Sequence, residues 1–131
     1  MFTRSHRTAA VGVLGALALA TLGAAPAHAR DGRVENRGMC SARSTWKLKA
    51  GPDNGAIETE FEVDSNRVGQ KWNVVIKDNG VRVFAGSRIT TAPSGSFTVN
   101  RRIPNRAGVD HIVASAKNPA SGEPCVGRVS V

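Results

Sequence analysis

The stretch that decides the fold is residues 71–84, which read Lys-Trp-Asn-Val-Val-Ile-Lys-Asp-Asn-Gly-Val-Arg-Val-Phe. Apolar and polar side chains alternate before Asn79-Gly80, and the chain turns apolar again directly after it. Asn-Gly suits the two positive-φ positions of a type I′ turn, whose twist matches that of the antiparallel strands it joins. The stretch therefore predicts a β-hairpin with Asn79 and Gly80 as its loop.

The two-residue loop also predicts a register for the hairpin. The expected pairs are Asp78 with Val81, Lys77 with Arg82, Ile76 with Val83, and Val75 with Phe84. In this register Ile76 and Val83 face the core, together with Val74 and Ala85. Val75 and Phe84 are expected to project from the outer face of the sheet.

The rest of the chain shows the same period of two. Alternating runs occur around residues 46–48, 57–63, 97–99, 112–116 and 125–131. Segments rich in Gly, Pro, Asn and Ser separate them, as is typical of an antiparallel β-sandwich or barrel. We expect an all-β, seven-stranded sandwich over residues 40–131. Residues 30–39, rich in Gly, Arg and Asn, are expected to form a flexible N-terminal segment.

The first 29 residues have the pattern of a cleavable signal peptide. Arg4, His6 and Arg7 precede an uncharged apolar run, and Ala27-His28-Ala29 provides the small residues that signal peptidase requires. Cleavage is expected after Ala29, which predicts a secreted protein with no integral membrane segment. The alternative is an N-terminal membrane anchor that is never cleaved.

The two cysteines of the chain, Cys40 and Cys125, bracket most of the expected domain. An exported domain of this size has a small core, and a covalent link between its ends would stabilise it. We therefore predict a Cys40–Cys125 disulfide. Zinc is a poor alternative because structural zinc needs four clustered ligands, and His111 is the one histidine after residue 29.

Two stretches, residues 64–72 and 121–125, carry a resemblance to small secreted proteins of high-GC Gram-positive bacteria. The strand pattern also resembles the immunoglobulin-like or fibronectin-type-III-like β-sandwich, with Trp72 in the place of the core tryptophan. In antibody domains, however, the disulfide joins the second and sixth strands, and a tyrosine corner is present. The resemblance implies export and a β-sandwich, and it supplies no active site.

The chain is basic, with 18 Lys and Arg against 10 Asp and Glu. Arg4 and Arg7 leave with the signal peptide, and an excess of six positive charges remains. Nucleic-acid binding modules pair basic grooves with stacking aromatic side chains, whereas most aromatics here fall at core positions. We therefore expect no nucleic acid partner, and we expect an anionic cell-wall polymer or a secreted protein.

One sheet face is the candidate binding surface. Its expected apolar residues are Val75, Phe84, Val113 and Val126. The basic residues expected around them are Lys71, Lys77, Arg82, Lys117 and Arg128. An apolar patch with a basic rim suits an anionic or protein partner, although scattered exposed valines are ordinary and residues 30–39 could cover them.

The expected function is therefore a non-catalytic binding module. The alternative is a small secreted inhibitor or effector that acts through a loop, either residues 93–95 or 104–108.

We expect no catalytic residue, metal or cofactor. A Ser-His-Asp arrangement would have to use His111, but the adjacent Asp110 should point to the opposite face of its strand. Glu58, Glu60 and Glu62 should lie on a flat outer face, as cross-strand ion pairs with Lys47, Lys49 and Arg102. A calcium site is a further alternative, formed at one end of the sandwich by Asp53, Asn54, Asp64 and Asn66.

Overall fold

The computed structural model describes residues 32–131. The predicted signal peptide and its cleavage site lie outside the described residues. The described chain forms eight β-strands and no helix, and so has no helix long and apolar enough to cross a membrane. The strands are β1 Val34–Met39, β2 Thr45–Asp53, β3 Ala56–Asp64, β4 Lys71–Asp78, β5 Val81–Ile89, β6 Ser96–Pro104, β7 His111–Lys117 and β8 Pro124–Ser130.

The eight strands form two antiparallel sheets of four strands each. The first sheet has the order β1-β2-β3-β6, and the second has the order β5-β4-β7-β8. Alternate side chains of both sheets meet in one apolar core. Trp72 of β4 is fully buried there, with its ring centroid 6.4 Å from that of Phe97 on β6. The expected all-β, two-sheet architecture is confirmed.

The prediction of seven strands is wrong, because residues 34–39 form an additional strand, β1, along the edge of the first sheet. Over residues 34–39 this corrects the expectation of a flexible segment, while residues 30 and 31 lie outside the described residues. Val34 packs against the core, and the Asn36 side-chain amide donates a hydrogen bond to the Arg128 carbonyl, at 2.7 Å. The strand pattern was weak in the sequence because Asn36 and Gly38 occupy inward positions that are usually apolar.

Trp46 on β2 closes the side of the sandwich where β1 and β8 meet. A Cβ atom on Gly38 of β1 would lie 2.7 Å from Cζ2 of the indole, and one on Gly127 of β8 would lie 2.7 Å from Cε3. Neither distance is compatible with a real side chain, so both strands present bare backbone to the ring. Glycine in a strand often marks such a close approach.

The predicted disulfide between Cys40 and Cys125 is confirmed. Cys40 directly follows β1 and Cys125 lies in β8, with 4.6 Å between their Cα atoms. The bond therefore joins the edge strands of the two sheets, on the side that Trp46 closes. It spans 85 residues, and the chain-entropy model gives about 4–5 kcal/mol of stabilisation for such a loop, before strain is subtracted. A disulfide is typical of proteins outside the reducing cytoplasm.

The predicted hairpin turn is confirmed. Asn79 and Gly80 have φ angles of 48° and 82°, which are the positive values that a type I′ turn requires. Asp78 pairs with Val81, and Lys77 pairs with Arg82, as expected. The first two pairs of the predicted register are therefore correct.

Beyond these pairs the predicted register is wrong, because a β-bulge follows. Phe84 pairs with Ile76, and Ala85 pairs with Val75. One extra residue on β5 reverses the facing of every later side chain, so Phe84 turns toward the core side and Ala85 turns outward. Gly86 leaves room for the Phe84 ring, since a Cβ atom there would lie 3.0 Å from Cζ.

Phe84 lies on the open side of the sandwich, between the edge strands β5 and β6. The guanidinium carbons of Arg88 on β5 and Arg101 on β6 lie 5.1 Å and 5.6 Å from the centre of its ring. Both arginines occupy inward positions, opposite Trp72 and Thr59. Inward charges on edge strands discourage pairing with another chain, and here the aromatic ring stabilises them by cation–π contact.

We expect Gly127→Ala to destabilise the fold by about 1–3 kcal/mol, the usual cost of overpacking. The destabilisation should shrink when Trp46→Phe replaces the bicyclic indole with a smaller phenyl ring, so the two substitutions should couple in a double-mutant cycle of urea unfolding. Gly86→Ala is the control, because its Cβ would approach only one atom of the half-buried Phe84 ring closely, at 3.0 Å, and should destabilise the fold less. Equal stability of Gly127→Ala and the natural protein would contradict the proposed contact.

The corrected register predicts different costs at Phe84 and Val75. Phe84→Ser should cost about 2 kcal/mol, which is below the usual range for a buried phenylalanine because the ring is half-buried. Val75→Ser, on the outer face, should cost less than about 1 kcal/mol. Urea unfolding monitored by tryptophan fluorescence measures both. Equal costs would place Phe84 on the outer face after all.

Candidate functional site

The outer face of the second sheet carries three of the four predicted apolar residues. Val75 of β4 lies beside Ser115 of β7, which in turn lies beside Val126 of β8. Val113 lies one row away, between Lys77 and Arg128. The fourth residue, Phe84, lies on the opposite side of the sheet for the reason given above. The apolar strip is therefore narrower than predicted.

Five exposed basic side chains surround this strip, as predicted, and we call them the basic face. They are Lys71, Lys77, Arg82, Lys117 and Arg128. Arg82, Lys77, Val113 and Arg128 form one row across the four strands. Because neighbouring strands lie about 4.8 Å apart, this row places three positive charges within roughly 15 Å.

No ion pair within residues 32–131 involves the basic face. Its outward positions contain no Asp or Glu. Lys77 and Arg82 lie directly opposite each other, and like charges in such a pair destabilise a sheet by a few tenths of a kcal/mol. The second sheet therefore carries an unneutralised positive charge on its outer face.

The outer face of the first sheet has the opposite character, because its charges are paired. Lys47 lies 3.4 Å from Glu62, and Lys49 lies 3.7 Å from Glu60, which confirms two predicted cross-strand pairs. The third pair differs from the prediction. Arg102 bonds to Asp53, at 3.5 Å, and Glu58 contacts Arg33, at 3.3 Å.

The proposed calcium ligands do not come together. Asp53 and Asn54 lie at the turn before β3, whereas Asp64 and Asn66 lie at its other end. Nine residues of strand separate the two groups by roughly 30 Å. The suggested calcium site is therefore wrong. The structure describes residues 32–131, and within that range no three His, Cys, Asp or Glu side chains are grouped for a metal.

The two loops considered for an inhibitor lie at opposite ends of the molecule. In residues 93–95, Pro93 and Ser94 are exposed, while Gly95 is buried and its amide donates to the Thr91 carbonyl. Residues 104–108 are exposed, and Arg106 within them forms an ion pair with a buried carboxylate described below. Both loops are thus attached to the body of the domain.

His111 forms a hydrogen bond with a serine that the sequence did not single out. Its Nδ1 lies 2.8 Å from Ser130 Oγ, across the β7–β8 pair. Asp110 is buried on the other side of the strand, as expected, so it does not contact the imidazole as a third member of a triad. Both His111 and Ser130 are exposed on the flat outer face. The pair thus lacks the enclosure that a catalytic serine needs.

Sequence reasoning missed a buried carboxyl pair, Asp78 of β4 and Asp110 beside β7. Asp78 is fully buried, and Asp110 is 1% exposed. Arg106 Nε lies 3.3 Å from Asp78 Oδ2, which is an ion-pair distance, but the guanidinium is not aligned to donate a hydrogen bond. Neither Asp78 oxygen accepts a hydrogen bond from a donor in the described residues. Burial and the neighbouring Asp110 carboxyl raise the pKa of Asp78, and the nearby Arg106 guanidinium offsets only part of this effect. The fold therefore favours the protonated form of Asp78.

Comparison with known proteins adds no relative to this description. No family model, curated protein or solved structure matches the chain. Function must therefore be argued from the chemistry of its own residues.

The raised pKa of Asp78 predicts a specific pH dependence of stability. A carboxyl whose pKa in the folded state exceeds the unfolded value, about 3.9, stabilises the fold fully below that value. The contribution is lost as the pH rises through the folded pKa. Asp78→Asn keeps a donor for Asp110 without the charge, so its melting temperature should exceed that of the natural protein near neutral pH.

The advantage should disappear at acidic pH, where Asp78 is protonated in both states. Each 1 kcal/mol corresponds to about 4–8 °C in a domain of this size. Asp53→Asn is the control, because that carboxylate pairs with Arg102 on the surface and should change the melting temperature little. A constant difference between Asp78→Asn and the natural protein at all pH values would contradict the raised pKa of Asp78.

Proposed function

We propose that this protein is a secreted, non-catalytic binding module whose basic face holds an anionic polymer of the cell wall. We further infer that its sandwich is of the immunoglobulin-like kind. The predicted signal peptide supports export, and the Cys40–Cys125 disulfide agrees with an oxidising compartment. The strand order of the two sheets, in which the chain crosses between them after β3, β5 and β6, supports the immunoglobulin-like comparison.

The observation that carries the proposal is the contrast between the two outer faces. Acidic partners neutralise the lysines of the first sheet, within 3.4–3.7 Å, whereas the basic face has none. An uncompensated set of like charges costs stability. It also attracts a polyanion over long range and raises the rate of encounter.

The valine strip and the buried aromatics favour a wall polymer over a nucleic acid. Modules that bind single-stranded nucleic acids combine a basic groove with aromatic side chains on which the bases stack, and none of the Trp or Phe side chains in residues 32–131 lies on the basic face. Val75, Val113 and Val126 offer an apolar strip between the charges instead. Such a strip suits the C–H surfaces of a sugar or polyol chain whose anionic groups contact Lys77 and Arg128.

Two features support a role without catalysis. The Ser130–His111 pair is exposed to solvent on a flat surface, where a developing oxyanion would receive little stabilisation. The Asp78–Asp110 pair has the residue types of an acid–base site, but its carboxyls are buried between strands and out of reach of a substrate. We therefore assign the basic face a binding role.

The test compares two triple substitutions that change the net charge equally. The first neutralises the basic face, with Lys77→Gln, Arg82→Gln and Arg128→Gln. The second neutralises the first sheet, with Lys47→Gln, Lys49→Gln and Arg102→Gln, and should cost only a few tenths of a kcal/mol per lost surface ion pair. Binding is measured by co-sedimentation with isolated Gram-positive cell walls at several salt concentrations.

The basic-face variant should bind the walls at least tenfold more weakly, with a shallower salt dependence, because it makes fewer contacts with the polymer. The first-sheet variant should bind nearly as well as the natural protein. Walls from which the anionic polymers have been extracted should bind neither. Equal weakening by both variants would show a mere net-charge effect, and tighter binding to duplex DNA than to walls would favour a nucleic acid partner.

A further inference from the structure

A polar pocket lies at the end of the sandwich near the disulfide, and we call it the loop-end pocket. It has a volume of about 340 Å³, at the lower end of the range typical of small-molecule sites. Three loops form it: β1–β2, β3–β4 and β7–β8. The lining segments are residues 41–44, Ser65, Arg67, Gln70, Asn118 and residues 121–123.

The walls of the loop-end pocket are held in place by hydrogen bonds. The Glu123 carboxylate accepts from the Ser44 hydroxyl at 2.7 Å and from the Ala42 amide at 2.8 Å. Burial raises the pKa of Glu123, but the hydrogen bonds from Ser44 and from the backbone outweigh this effect, so that its pKa is lowered. The Asn118 side chain accepts from the Ala120 amide, at 2.9 Å. A pocket formed in advance binds a ligand without the cost of ordering its loops.

Three groups that line the pocket lack partners within residues 32–131. Arg43 and Arg67 are exposed, and neither forms an ion pair there or donates a side-chain hydrogen bond. The Gln70 side-chain oxygen is buried and accepts no hydrogen bond. A buried acceptor without a donor costs free energy until a donor reaches it. The pocket thus offers two positive charges beside one buried, unpartnered acceptor, and the Glu123 carboxylate is already occupied by its own hydrogen bonds.

The pocket is continuous with the basic face. A second depression, of about 370 Å³, shares Arg67, Gln70 and Asn118 with it and extends to Lys71. Lys71 belongs to the basic face and lies at the start of β4. A chain bound along the outer face of the second sheet would therefore reach the loop-end pocket without crossing an acidic surface.

We propose that the loop-end pocket binds one anionic sugar or polyol unit, carrying a carboxylate or a phosphate, at the end of the polymer held by the basic face. The anionic group contacts Arg43 and Arg67, where a guanidinium can bind it with two hydrogen bonds. The Gln70 side chain turns toward the bound unit, and its oxygen then accepts a hydrogen bond from a hydroxyl of that unit. This inference rests on the proposed function, but the pocket should bind the isolated unit by itself.

The experiment titrates the ¹⁵N-labelled protein with small probes and follows backbone amide shifts. The probes are glucuronate and glycerol 1-phosphate, with glucose and inorganic phosphate as comparators. Amides of residues 41–44, 67–70, Asn118 and 120–123 should shift with both anionic hydroxyl compounds, and glucose should shift none. Whichever of the two binds more tightly identifies the source of the charge.

Two variants separate the roles of charge and acceptor. Arg43→Gln with Arg67→Gln should weaken binding of the probes at least tenfold, and Arg37→Gln, outside the pocket, should not. Gln70→Leu should weaken the binding of glucuronate or glycerol phosphate, but it should leave any weak binding of inorganic phosphate unchanged. Equal affinity for inorganic phosphate and the hydroxyl compounds would show an anion site only and overturn the proposal, as would the lack of shifts in these loops.

The outcomes also separate this inference from the proposed function. The basic-face triple variant should lose its binding to the walls, while its pocket still binds the isolated unit. If the protein binds the walls but its pocket binds none of the probes, the proposed function is retained and the proposal for the pocket is wrong. If the pocket binds the probes but the protein does not bind the walls, the proposal for the pocket is retained and the proposed function is wrong.

Discussion

The close packing of the Trp46 indole between two bare backbones is the contact on which the arrangement of the sheets depends. Gly38 belongs to the edge of the first sheet and Gly127 to the edge of the second, so one ring fixes the distance between them. With the edges held there, Asn36 reaches the Arg128 carbonyl, and the Cα atoms of Cys40 and Cys125 lie within disulfide range. The same contact positions β8, and with it two members of the outer surface, Val126 and Arg128.

The sandwich is consequently asymmetric in two ways. One side is closed by tryptophan, disulfide and hydrogen bond, whereas the other, between β5 and β6, is filled by Phe84 under Arg88 and Arg101. The inward arginines oppose strand addition at the open edges. The two outer faces differ as well, one with paired charges and one with positive charge alone. Because the edges are blocked and the outer faces differ in charge, the proposed binding through a sheet face and a set of loops agrees with the structure better than binding through a strand edge.

Much of the fold could be read from short-range patterns, and the errors came from features that such patterns do not record. Asn79-Gly80 predicted its turn correctly, because positive φ angles are a local property. The bulge next to it was invisible, since Val83 and Phe84 are both apolar and either could face the core. β1 was missed because Asn36 bonds to a residue 92 positions away and Gly38 yields space to the Trp46 indole, and neither contact leaves an apolar alternation in the sequence. The Asp78–Asp110 pair could be predicted only from the fact that β4 and β7 are neighbouring strands, which alternation along one strand cannot reveal.

The position of the disulfide has a further consequence, for the survival of the chain after proteolysis. All seven connections between the strands lie between Cys40 and Cys125, and exposed loops are where proteases cut most readily. A single cut in any of these loops would open the backbone but leave both fragments joined by the sulfur bridge and held by the shared core. The molecule would then persist as a nicked, two-chain form with both of its outer faces intact.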